Sequence, residues 1–131
     1  MKGAPKTLAV MLMALAPVSQ TSAAERFTCN LAVLTKVELK RDQELAHLMR
    51  AALVERKELP NGYGFRFTPE STQMLSEWTY IIAKCCQPLD YRLEIGRQPG
   101  GALWLWMTGG DGVKEFIGGE FESLLSKEIP K

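Results

Sequence analysis

Two strand-like stretches joined by a short turn constrain this chain more than any other feature. "YRLEI" (Tyr91 to Ile95) puts Tyr91, Leu93 and Ile95 on one side and Arg92 and Glu94 on the other. That is the period of a half-buried strand. "ALWLWMT" (Ala102 to Thr108) is apolar on both faces, and the intervening "GRQPGG" is made of turn formers. Strands linked this closely pair as an antiparallel hairpin, which excludes an all-helical fold.

Helical signals surround the hairpin. "TKVE" (Thr35 to Glu38) has capping-box spacing, and the pattern predicts a helix to about Lys57 with Val37, Leu45, Leu48, Met49 and Ala52 on one face. "LPNGY" breaks it, and "YGFRF" predicts a strand with Tyr63, Phe65 and Phe67 on one side. "TPE" restarts a helix, with Thr68 as N-cap and Pro69 in the first helical position. Its apolar stripe is Met74, Trp78, Ile81, Ile82 and Cys85, and Pro88 ends it. After "GGDG", "VKEFIGGEFESLL" reads as a last helix weakened by Gly118 and Gly119. The order α-β-α-β-β-α predicts an α+β fold, with about three helices on a small, largely antiparallel three-stranded sheet.

The first 24 residues read as a signal peptide: Lys2 and Lys6, the apolar "LAVMLMALA", Pro17, then small residues before Glu25. The apolar run is too short to span a bilayer. The expectation is an exported protein, bacterial periplasmic or extracellular, whose residues 25–131 form one α+β domain. Without Lys2 and Lys6 the formal charge moves from +1 to −1. A near-neutral chain of mixed charges has no electrostatic footprint for nucleic acid, and no membrane span is expected after cleavage.

The cysteines are the chemically distinctive residues. Cys85 and Cys86 are adjacent at a helix end, and Cys29 lies before the first helix. Neighbouring cysteines are poorly placed to bridge one another. One disulfide from Cys29 to either Cys85 or Cys86 is therefore expected in an oxidising compartment, with one thiol left over. Cys85, in the apolar stripe, reads as the buried thiol, and Cys86, at its edge, as the reachable one. Neighbouring thiols also suit a soft metal or metalloid, so Cys85 and Cys86, with Cys29 as a third thiol, are the metal candidates. A soft metal ion is the one cofactor the sequence suggests. The C-x-x-C spacing of thiol oxidoreductases is absent, and the sole histidine, His47, falls opposite its helix's apolar stripe.

Two further places are candidates. In "LWLWM", either Trp104 and Trp106 or Leu103, Leu105 and Met107 must lie beside Arg92 and Glu94. That row is either covered, by a helix or by the stems of Arg66 and Arg92, or left as an apolar patch. A patch there would bind a partner, a small ligand or a second copy of the chain, making a homodimer. In "TGGDGVKEF", Gly109, Gly110 and Gly112 open a helix where backbone amides hold anions, although Asp111 reads more simply as the helix cap. No nucleophile elbow or cysteine–histidine pair at a known spacing is present, so no catalytic residue is named.

With "ELPNGYGFRF", "CCQPLDYRLEI" and "LWLWMTGGDGVKEFI" in view, the chain resembles a group of small bacterial proteins of unassigned function. The likeness covers most of residues 25–131: an early cysteine, a GY-x-F-x-F strand, a helix ending in two cysteines, a LWL-x-x-TG strand and a GVK-x-F helix. It implies the α+β outline and the cysteine pair as a shared feature, and it implies no activity. Many relatives have Glu-Arg before the pair and Pro-Phe after it. Here Ala83, Lys84, Gln87 and Pro88 stand there, so a site needing that acidic residue does not carry over.

Overall fold

The structure is a computed structural model, and it describes residues 28–97 and 100–129. The expected signal peptide lies outside the described residues. A 3-10 turn (Leu31–Val33) leads into α1 (Lys36–Ala52), β1 (Leu53–Leu59) and β2 (Gly62–Phe67). A second 3-10 turn (Pro69–Ser71) opens α2 (Thr72–Cys85), followed by β3 (Asp90–Ile95), β4 (Leu103–Thr108), α3 (Val113–Glu120) and α4 (Glu122–Leu125). The four strands form one antiparallel sheet in the order β1-β2-β4-β3. The fold is α+β, with one strand more than expected.

The extra strand is β1, which the sequence pattern assigned to the end of the first helix. The start of that helix is as expected: the Thr35 hydroxyl accepts from Glu38 N–H, and the Glu38 carboxylate accepts from Thr35 N–H. Its end is set from far along the chain. Lys127 Nζ donates to the carbonyls of Arg50, Ala51 and Leu53, and Thr68 N–H donates to Ala52. Those carbonyls would otherwise lack partners at a helix C-terminus. "LVERKEL" then extends and pairs with β2, with its register shifted between Leu53 and Glu55. Tertiary pairing overrides helix propensity here, and the charged residues suit an edge strand that must not recruit another chain.

Residues paired across the sheet share a face, so the register sorts the side chains. Phe67 with Leu103, Phe65 with Leu105 and Leu93, and Tyr63 with Met107 and Tyr91 line the inner face. Against it pack Leu45 and Met49 of α1, Leu75, Trp78, Ile81 and Ile82 of α2, and Val113, Phe116 and Ile117 of α3. Trp78 meets Phe121 edge to face at 5.8 Å between ring centroids. Three residues expected inside are exposed: Val37 at 79%, Leu48 at 47% and Ile95 at 55%. Val37 lies in the first turn of α1 and Ile95 at the far end of an edge strand, where the sheet offers no partner on the other side. Arg56 faces inward at the other edge, where Nη1 donates to Leu124 and Lys127 carbonyls. The last helix breaks at Phe121 into α3 and α4.

The outer face carries Trp104 and Trp106, stacked at 4.8 Å with 14° between the rings. Gly64 pairs with Trp106, and a Cβ there would collide with the indole ring. Gly64→Ala is therefore expected to displace Trp106 and cost about 1–3 kcal/mol, as overpacking does. Chemical denaturation with tryptophan fluorescence checks this; unchanged stability and emission would show that the indole is not held as described.

Candidate functional site

The cysteines meet where the N-terminal segment crosses the end of α2. Pro88 prevents the helix from continuing, and the chain turns at Cys86, whose N–H still donates to Ile82. The carbonyls freed by that turn find other donors: Asn30 N–H to Cys85 at 2.8 Å, and Tyr91 Oη–H to Cys86 at 3.0 Å. The first of these lays Cys29 against the helix end. Cys29 and Cys86 are joined as a disulfide across 57 positions of sequence, and Cys85 is a free, buried thiol.

Cys85 Sγ lies 3.6 Å from Cys86 Sγ and 3.5 Å from the Ile82 carbonyl, to which it donates. All three cysteine sulfurs lie within 4.8 Å of one another. The sequence placed Cys85 as the buried thiol, and it is 3% exposed. Cys86, expected to be reachable, is fully buried and bonded, because the crossing segment covers the stripe's edge. A cleft of about 300 Å³ opens on the Cys85 side, lined by Thr28, Asn30, Val33, Lys84, Cys85, Gln87 and Pro88.

The electrostatics do not favour a thiolate. Burial pushes the Cys85 thiol up from its ordinary 9.0, and the charges of Asp42 and Glu120 push the same way. Asp42 is itself raised by burial, partly countered by the Trp78 indole, although that N–H has no partner at full hydrogen-bond geometry. Tyr91 is raised as well, by burial first and then by Cys85. Lys84, the nearest cation in sequence, is held by the Glu38 carboxylate and lies 4.5 Å over the Tyr80 ring.

A raised thiol pKa means that the folded state holds the proton longer than the unfolded state. Its stabilising effect is complete below 9.0 and is lost as pH rises through the folded value. Stability of the oxidised protein is therefore expected to fall above pH 9.0, and Cys85→Ser should flatten part of that fall. Denaturation midpoints from pH 7 to pH 11 check this; an identical slope in the variant would remove Cys85 as a cause.

The other candidates lie apart. Trp104 and Trp106 form the outer row of the sheet, which settles the ambiguity of the "LWLWM" strand. Arg92 stacks over Trp106 at 5.4 Å, one of the alternative covers open for that row. Arg66 does not stack; its Nε donates to Glu55 at 2.8 Å. Lys57 takes the stacking position, 4.9 Å from the Trp104 ring and 6.0 Å from the Trp106 ring. The helix expected to run to about Lys57 hides this position.

Gly109, Gly110 and Gly112 form the β4–α3 loop beside a cleft of about 230 Å³. Asp111 is not the cap it reads as. Gly112 occupies the N-cap with φ 88°, a conformation glycine takes without strain, and no side chain caps the helix. Gly109 N–H donates to Asn61 and Val113 N–H to Gly110, so two amides an anion would use are engaged. His47 is exposed on α1, away from the sulfur cluster.

No family model matches the chain, and neither a curated protein nor a solved structure matches it. Among the described residues no helix is long and apolar enough to cross a membrane.

Proposed function

We propose that this is a small exported protein that binds a thiophilic metal or metalloid ion through Cys29, Cys85 and Cys86 when those cysteines are reduced. In the oxidised protein the Cys29–Cys86 disulfide tethers the N-terminal segment to the end of α2, and Cys85 stays a thiol. One observation carries the reading: three sulfurs from two distant parts of the chain lie within 4.8 Å of one another. Sulfur ligands select soft ions, and a cleft reaches the free thiol. Export is supported by the signal-peptide pattern of the first 24 residues and by the disulfide, which persists in oxidising compartments.

The test has two steps. Alkylation of the denatured, unreduced protein should modify one cysteine by intact mass, and three after reduction. Cadmium should then add to the reduced protein at one ion per chain, with thiolate-to-metal absorption in the ultraviolet. A reduced chain that binds no soft ion ends this reading.

A second reading rests on the outer sheet face, where the Lys57 ammonium and the Arg92 guanidinium lie over the stacked Trp104 and Trp106 rings and the Trp106 indole N–H is buried without a partner. That face would bind a partner or a second copy of the chain. Under it, Trp106→Ala weakens association and leaves cadmium binding unchanged; sedimentation at several concentrations separates the two.

A further inference from the structure

We propose that the reduced three-sulfur centre selects a trivalent metalloid, taken up as its neutral hydroxide, over divalent metal ions. The inference rests on the soft-ion reading above and adds the class of ion.

Ligand number is the first argument. The cluster offers three sulfurs, and no histidine or carboxylate joins them among the described residues. Zinc in a closed protein site takes four ligands. Trivalent arsenic or antimony takes three sulfurs, and its lone pair occupies the fourth direction. A three-sulfur set without a fourth donor fits that geometry.

Charge is the second argument. A divalent ion on three thiolates leaves a net charge of −1. Here that charge would sit on buried Cys85 and Cys86 and half-buried Cys29, where the charges of Asp42 and Glu120 already oppose a thiolate at Cys85 and Lys84 is paired with Glu38. Burying an uncompensated charge is strongly unfavourable. A metalloid hydroxide avoids it. Three S–H bonds and three bonds from the metalloid to oxygen break; three metalloid–sulfur bonds form, and three waters leave. No electron is transferred, and the product is neutral. The cleft of about 300 Å³ beside Cys85 admits a small uncharged solute and releases the water.

The disulfide must open first. Two thiols of a small-molecule reductant supply two electrons and two protons, become a disulfide themselves, and leave Cys29 and Cys86 as thiols. Cys85 is already a thiol.

The experiment uses the reduced full chain, with sodium arsenite and zinc chloride offered separately and in competition, read by native mass spectrometry and thiol counting. The expected adduct is one arsenic less three hydrogens, with no free thiol and with persistence in excess zinc. Arsenite should also raise the thermal midpoint of the reduced chain, because ligation restores the tether between Cys29 and α2. In Cys85→Ser, which keeps the disulfide-forming pair, the three-sulfur adduct should be lost. Preference for zinc would overturn this inference and leave the soft-ion reading standing, whereas failure of both arsenite and zinc to bind, with cadmium inert too, would end both. An arsenic adduct that leaves one thiol free, or that gives no thermal shift, would also overturn it.

Discussion

Cys29→Ser is expected to lower stability by about 4 kcal/mol. The Cys29–Cys86 bridge closes a loop across 57 positions, and the chain-entropy model gives that magnitude for a loop of this length. The bridge is a long-range constraint on the N-terminal segment, which otherwise holds α2 through the Asn30 N–H to Cys85 carbonyl bond and the packing of its 3-10 turn on the helix. Cys29 is half-buried, so the serine itself adds little cavity cost. For a domain of about 100 residues, a loss of 4 kcal/mol corresponds to a thermal midpoint lower by about 15–30 °C. Thermal unfolding of the variant and of the chemically reduced wild type should agree. A variant within a few degrees of the oxidised wild type would show that the bridge is not a principal constraint.

Phe65→Ala is expected to cost about 3–5 kcal/mol, the range for removing a buried aromatic ring. Phe65 has no exposed surface and pairs with Arg56 on one side and Leu105 on the other, in the middle of the inner face. The rigid sheet beneath it cannot close over the missing ring, so a cavity remains. Total stability for a small domain is roughly 5–15 kcal/mol, so this variant sits near the edge of folding. Urea denaturation by circular dichroism measures it. The conservative Phe65→Leu should recover most of the loss; equal loss in both would point to a need for the ring itself.

The sequence was most informative where local chemistry and tertiary structure agree. The capping box at Thr35 and Glu38, the alternation of Phe65 and Phe67, and the apolar stripe through Trp78 and Cys85 each state their role within a few residues. Where long-range partners decide, the local pattern misled. Nothing near Ala52 announces that Lys127 will take the carbonyls of Arg50, Ala51 and Leu53, so a run of charged residues read as helix and β1 was missed. The consequence reaches the outer face: without β1, no pattern places Lys57 over the tryptophans or pairs Arg66 with Glu55.

The candidate site was legible in the same uneven way. Helix geometry placed Cys85 in the core and left open which cysteine Cys29 joins. The turn at Cys86 decides it, because the residue after the last helical turn points toward the crossing segment. Asp111 before α3 looked like a cap, yet the backbone there needs the positive φ that Gly112 supplies, so the adjacent glycine takes the position.

The central claim is that Cys29, Cys85 and Cys86 act as one ligand set. X-ray absorption at the edge of the bound ion, on the reduced and arsenite-loaded protein, tests it most directly. The account predicts three sulfur neighbours around arsenic and no oxygen or nitrogen in the first coordination shell. Two sulfurs with an oxygen would mean that the adjacent pair binds alone and that Cys29 serves only the disulfide, contradicting the claim.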